Sequence, residues 1–402
     1  MIKTGKARLN LLFIIFIFFG IAYTVIDPLI PFFSQKLRIG YDRIGLILFA
    51  SSAISLVSTF ASGILSDRYS IKRIVFIGLL IMLGGFLIYG IYFSLIILIM
   101  AVIFFRTGCG ILDSSIHAYV SKLFYKEHSP IFIKLDFFWY VGAIIGPLII
   151  GIMLYFDIDP GYTFLFFAAA VLAVTVLFYR YCEDINISSE TGSPAEISIA
   201  MNKKNAKKTV ASDYAAILKN PVILLTCTGL FFYIGIFSIL STWLTTYFAD
   251  LGVPLSFGSL ILSVFWAFNA LGVFITGKIV QRTNDTVLLL VCSGVGCISA
   301  VIYSLIPVIY IKIIFLIIQA IFYSSLFPLL NAVAVHEDAK KSGTILGVTL
   351  SICIIGLIVF QPLSGYVMEY FGRQGINYLL ISTASANLAA VYILFRFKVK
   401  NA

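Results

Sequence analysis

Along its 402 residues the chain alternates long apolar runs with short polar ones. Twelve runs stand out, at about 9–33, 44–65, 74–93, 95–119, 136–156, 162–180, 221–248, 255–277, 287–307, 309–334, 344–368 and 376–395. Each is close to the roughly 20 residues that a helix needs to cross about 30 Å of hydrocarbon. In lipid every backbone polar group must be satisfied within the protein, which favours helices. The ten-residue alternation that marks a membrane β-barrel is absent. The pattern therefore predicts an all-α membrane protein of twelve spans. One polar stretch, 181–220, interrupts it with Glu183, Asp184, Glu190 and then Lys203, Lys204, Lys207 and Lys208. It reads as a cytoplasmic linker between a block at 1–180 and a block at 221–402, with a short surface helix around 213–219.

Composition agrees. Apolar residues make up 61% of the chain and charged ones 11%. A soluble domain has about half apolar and a quarter charged. The net charge of +10 would suit a nucleic-acid partner, but its placement does not. With the N-terminus inside, 22 of the 28 Lys and Arg fall on cytoplasmic segments, from Lys3, Lys6 and Arg8 to Arg396, Lys398 and Lys400. The outer segments hold only Lys36, Arg38, Arg43, Lys312 and Arg373. This asymmetry places both termini in the cytoplasm and makes the basic charge topological. The first run is too long for a signal peptide, holds Asp27 and Pro28, and lacks a cleavage site, so it reads as a retained span. The six cysteines have no C-x-x-C spacing and read as small buried hydrophobes, with no metal expected.

Charges inside apolar runs are costly and are functional candidates. The first run carries Asp27, and the fourth carries Arg106, Asp113 and His117. At 100° per residue these last three lie within about 20° of one helix face, over roughly 16 Å. Such a strip suits the lining of a proton path. A neighbouring cation favours an ionised carboxylate and burial favours a protonated one, and that competition can poise a proton carrier. A fixed ion pair that only holds two helices together is the alternative. Asp136 reads as an N-terminal residue of its helix, facing the helix dipole. For solute binding, Tyr23, Tyr140, Tyr233, Trp243, Trp266, Asn269, Gln319, Asn331 and Gln361 supply hydrogen-bonding groups or aromatic platforms within the runs. Walker A, H-E-x-x-H and G-x-S-x-G patterns are all absent, so neither ATP-driven transport nor an enzyme is expected.

Residues 63–73, Gly-Ile-Leu-Ser-Asp-Arg-Tyr-Ser-Ile-Lys-Arg, resemble the loop between helices 2 and 3 of the major facilitator superfamily, G-x-x-x-D-R-x-x-x-[RK]-R. The resemblance implies that Gly63, Asp67, Arg68, Lys72 and Arg73 latch one conformation. A decayed copy begins at Gly277 and ends at Arg282, and Pro147 and Pro362 are spaced by nearly the same offset, so the two blocks look duplicated. Gly142-x-x-x-Gly146-Pro147-x-x-x-Gly151 resembles the superfamily's helix-5 motif, with Pro362 and Gly365 in the corresponding later helix. Small residues at this spacing let helices approach closely. Ile111-Leu-Asp113-Ser-Ser-Ile-His117, Leu135 to Pro147 and Ser241 to Tyr247 are similar to the fucose–proton symporter type and its glucose and mannose relatives. That branch often has Asn at the place of His117, Glu at that of Phe237 and Arg at that of Val273. The resemblance implies a two-bundle fold, alternating access, proton coupling through Asp27 and Asp113, no cofactor beyond the proton, and a monomer among membrane lipids in the cell membrane. Sugar uptake is the first expectation. Efflux of amphipathic drugs by proton antiport is the alternative, and a transport-dead sensor is a third.

Overall fold

The structure is a computed structural model, and it describes residues 2–66, 69–91, 94–123, 128–182, 219–338 and 341–401. It is all-helical over these residues: α1 Ile2–Thr24, α2 Ile30–Leu37, α3 Tyr41–Ser66, α4 Ile71–Ile91, α5 Leu95–Leu123, α6 His128–Tyr155 and α7 Pro160–Tyr181. After the linker come α8 Pro221–Ala249, α9 Leu255–Ile279, α10 Asp285–Leu305, α11 Ile309–Tyr323, α12 Leu326–Val335 and α13 Ser342–Asn401. Among the described residues, 11 stretches are long and apolar enough to cross a membrane. The last of them, Thr344–Lys400, holds both of the final two predicted runs. α13 breaks between them at Gly372, whose φ of 58° is a left-handed conformation that glycine adopts without a Cβ clash.

Prolines redraw two of the expected boundaries. The first run was expected to be continuous, but α1 stops at Thr24, a 3-10 turn follows at Asp27–Leu29, and α2 restarts at Ile30. Pro28 and Pro31 each fall in the first turn of a new segment, where a missing N–H is harmless. The tenth run divides into α11 and α12 ahead of Pro328, which has no N–H to give the preceding turn. Most of the linker, including the surface helix expected at 213–219, lies outside the described residues.

The chain forms two compact units that interleave along the sequence. The first combines residues 1–187 with 237–271 and 357–379, so parts of α8, α9 and α13 pack with α1–α7. Its interior is aromatic: Phe86 lies 4.7 Å from Phe105 and 5.7 Å from Phe167, ring to ring. Glycines set the closest helix crossings. A Cβ on Gly142 would strike the Ile17 carbonyl, and one on Gly20 the Trp139 carbonyl, so α1 and α6 touch backbone to backbone. Gly146 faces the Thr24 hydroxyl, which donates to the Ala143 carbonyl at 3.4 Å. Gly151 sits against α9 at Ser256. Gly45 and Gly365 bring α3 and α13 together, and a Cβ on Gly365 would come within 2.7 Å of the Tyr41 carbonyl. Beside them the Ser52 hydroxyl donates to Gln361 Oε1 at 2.8 Å, and the Trp243 indole to Ser364 Oγ at 2.8 Å. The Tyr41 N–H meets Glu369 Oε2 at 2.6 Å. Arg373 donates to the Asp250 carbonyl at 2.9 Å. Burial raises the Asp250 carboxyl above its usual range, and Arg373 opposes the shift.

The second unit holds residues 188–236, 272–356 and 380–402. Asn387 ties three helices in it, donating to the Gly229 carbonyl at 2.8 Å and accepting from Ser293 at 2.8 Å. Thr276 and Ser325 share a short hydroxyl–hydroxyl bond. Lys312, counted by sequence among the outer charges, is buried in the first turn of α11. Its ammonium donates to the Tyr303 carbonyl at 2.6 Å, near the C-terminus of α10, where carbonyls lack helical partners and favour a cation. Lys398 pairs with Glu337 at 2.9 Å. All six cysteines are free and buried, as the sequence suggested.

Candidate functional site

The break between α1 and α2 sets a carboxylate inside the first unit. Asp27 opens the 3-10 turn and is buried, with 6% of its surface exposed. Arg106, midway along α5, is buried to a similar degree. Its guanidinium lies 3.9 Å from the centre of the Tyr23 ring, one turn before Asp27, and it is electrostatically coupled to Asp27. Tyr23 also meets Trp139 edge-on at 5.7 Å. Asp27, Arg106 and Tyr23 thus form one polar cluster between α1 and α5.

Further along the same face of α5 lies a second cluster. His117 Nδ1 is 3.5 Å from Asp113 Oδ1 and 2.7 Å from the Asp113 carbonyl oxygen. Its ring is held edge-on by Phe16 at 5.5 Å and Phe132 at 4.8 Å. The sequence alone does not say which aspartate Arg106 serves. In the structure Arg106 is placed with Asp27, while Asp113 has His117 as its neighbour. Asp136 joins this second cluster, coupled electrostatically to both His117 and Asp113. That corrects its expected role: α6 begins at His128, so Asp136 is more than two turns inside the helix and does not face a helix end. Its one sequence signal was a carboxylate at the edge of an apolar run.

Asp113 and Asp136 open into a cavity of about 260 Å³, whose other walls are Phe16, Phe19, Tyr23, Trp139 and Phe237. Every lining residue belongs to the first unit. Behind the wall lies Trp266, fully buried, with its ring 5.4 Å from Trp139 and 5.3 Å from Phe237. Its indole N–H has no hydrogen-bond partner among the described residues. Tyr140 packs beside it at 6.4 Å. Of the nine expected solute-binding residues, then, Tyr23 lines the cavity, and Tyr140 and Trp266 buttress it.

The others are placed elsewhere. Trp243 and Gln361 hold α8 and α3 against α13 through the bonds given above. The Asn269 amide donates to the Phe265 carbonyl one turn earlier, at 2.9 Å. In the second unit Asn331 donates to the Phe327 carbonyl and accepts from Thr349 at 2.6 Å. Tyr233 lies tilted against Phe327 there, ring centres 6.4 Å apart. Gln319 is fully buried in the second unit, with neither amide atom partnered among the described residues. Of the expected latch, Asp67 and Arg68 lie outside the described residues. Gly63 approaches Ser114 of α5, Lys72 sits 5.0 Å from the Tyr179 ring centre, and the Arg73 N–H caps onto Ser70. No group of three or more His, Cys, Asp or Glu able to hold a metal ion occurs among the described residues.

Comparison with known proteins places this architecture. The sequence model of the Major Facilitator Superfamily matches residues 12–352. The hexuronate transporter of Bacillus subtilis (strain 168) is 23% identical over 262 residues, covering 63% of this chain and 60% of that protein. The inner membrane transport protein YdiM of Escherichia coli (strain K12) is 25% identical, covering 69% of this chain. The chain spans less than two thirds of the length of these two relatives, 60% and 63%. Multidrug resistance protein 2 of B. subtilis is 21% identical, covering 88% of this chain and 86% of that protein. Among solved structures, a bacterial homologue of the human lysosomal transporter Spinster, in an inward-facing and occupied conformation, superposes with a TM-score of 0.76 at 13% identity. The alignment covers 98% of this chain and 97% of that one.

Proposed function

This chain belongs to the Major Facilitator Superfamily, a multi-pass membrane transporter family, and we propose that it is a proton-coupled secondary transporter of a small organic solute, working by alternating access. The observation that carries the reading is the pair of buried charged-type side chains, Asp27 and Arg106, linked to the cavity of the first unit through Tyr23, which lines it. An isolated ionisable side chain at membrane depth is costly, and a carboxylate next to a guanidinium in a dry site can bind and release a proton as its surroundings change. Asp27 is the proton carrier in this reading, and Arg106 its counter-charge while the proton is absent. The proton is the only coupling ion required. The basic asymmetry of the loops supports a cell-membrane location with both termini in the cytoplasm.

For the solute, the cavity supports export of an amphipathic compound better than sugar uptake. Five of its seven walls are aromatic, and Phe237 fills the place where the fucose–proton symporter type often has Glu. Asn269, Asn331 and Gln361, amides that a sugar site would use, are committed to helix contacts. The Multidrug resistance protein 2 match fits this reading. Sugar symport keeps the support of the strings around Asp113 and the printed substrate of the hexuronate transporter.

The test is transport by purified protein in proteoliposomes carrying a trapped pH dye. A solute-dependent proton flux in the wild type, absent from Asp27→Asn, is expected. Solute flux in Asp27→Asn that still accumulates against its gradient under an imposed pH difference would remove Asp27 from the coupling path.

A further inference from the structure

We propose that the cavity of the first unit recognises a monovalent organic cation with a compact apolar or aromatic body, an inference that rests on the transport reading above. The two carboxyl groups in its lining are Asp113 and Asp136, from successive helices α5 and α6, and no Lys or Arg is among the described residues that line it. Arg106 is not part of this lining: its guanidinium lies over the Tyr23 ring and interacts electrostatically with Asp27. His117 lies 3.5 Å from Asp113 and also interacts electrostatically with Asp136, which remains open to solvent.

The remaining walls are Phe16, Phe19, Tyr23, Trp139 and Phe237. An ammonium or quaternary nitrogen is attracted to the negative faces of such rings, most strongly where water is excluded. A single positive charge between Asp113 and Asp136 also relieves the repulsion between two acids in one small space. An anion would meet both carboxylates without a compensating donor. A sugar would find only the Tyr23 hydroxyl and the Trp139 indole besides the acids, too few partners for its hydroxyls. The volume of about 260 Å³ limits the body to roughly one ring with a small charged head. Trp266 braces Trp139 and Phe237 from behind, so the box is held in place by packing and does not have to form around the ligand.

Benzyltrimethylammonium is the probe, with glucose and glucuronate as neutral and anionic comparators. Titrated into the purified full chain, the cation should quench tryptophan fluorescence saturably, and neither comparator should displace it. Asp136→Asn and Asp113→Asn should each weaken its binding at least tenfold without lowering the melting temperature. Should an Asn variant fail to fold, Phe237→Leu serves instead and should weaken binding severalfold. No saturable binding to folded wild type, binding equal in wild type and variants, or displacement by glucuronate would overturn the cation assignment. The proteoliposome assay keeps the two readings apart. Cation binding with no cation-dependent proton flux would sustain the site and sink the transport reading. Flux driven by glucose or glucuronate, with no cation binding, would do the reverse.

Discussion

At the residue scale, the arginine of α5 is the side chain whose surroundings most restrict what can replace it. The Arg106 guanidinium sits 3.9 Å from the Tyr23 ring centre and interacts electrostatically with Asp27 at the same time. A planar guanidinium suits both tasks and a compact ammonium does not. Arg106→Ala removes the guanidinium over Tyr23 and the positive charge that offsets buried Asp27, and should destabilise the protein by about 1–3 kcal/mol. A lower detergent melting temperature and loss of solute-driven proton flux are expected, and Arg106→Lys should restore the first in part and not the second. The cysteines offer a simpler check. Cys182, just past the end of α7, is buried, and that burial pushes its thiol up to about 11. Since the thiolate is the nucleophile, its reaction with N-ethylmaleimide at neutral pH should be about two orders of magnitude slower than in the unfolded chain. Mass spectrometry of the folded protein should find it unmodified until denaturant is added.

At the scale of elements, the glycines divide into those that touch backbone and those that touch nothing. Gly142→Ala should destabilise the fold, because its Cβ meets the Ile17 carbonyl and rigid backbone must move. Overpacking of this kind costs about 1–3 kcal/mol. Gly294, inside α10, has nothing within 4 Å of a built Cβ. Gly294→Ala should be neutral or stabilise by up to about 1 kcal/mol, through helix propensity. Thermal melts of the two variants, read side by side, check the contrast. The sequence motif Gly142, Gly146 and Gly151 announced close packing but not the partners. Those are α1 for the first two and α9 for the third, and only the fold could supply them.

At the scale of the whole molecule, the joining of α8, α9 and α13 segments to the first unit matters most. Gly45 against Gly365, Ser52 with Gln361 and Tyr41 with Glu369 fasten α3 to α13. In the alternating-access reading this contact has to open in each cycle. A Gly40→Cys, Glu369→Cys double variant, bridged by a short thiol crosslinker, should stop transport, and reductant should restore it. Native cysteines are buried and do not compete for the reagent. Unimpaired transport by fully crosslinked protein would show that α3 and α13 stay together throughout.

The sequence by itself determined the class of the protein and the number of its spans. Lipid leaves a helix little choice, and twenty apolar residues in a row can do little else. It also determined which side chains needed an explanation, because a charge in an apolar run is conspicuous without coordinates: Asp27, Arg106, Asp113 and His117 were all legible. Tertiary structure decided their pairing. The face shared by Arg106, Asp113 and His117 is a property of one helix, but Arg106 is coupled to Asp27 because proline breaks the first run and turns that carboxylate inward. Asp136 became a cavity residue only when α6 proved to begin at His128. The amides Asn269, Asn331 and Gln361 carried the same polarity in the sequence as any ligand group, yet the fold gave Asn269 to a carbonyl of its own helix and the other two to neighbouring helices. Hydrophobic pattern is a one-dimensional signal set by the solvent, whereas the partner of a buried polar atom depends on which helix passes within three ångströms of it.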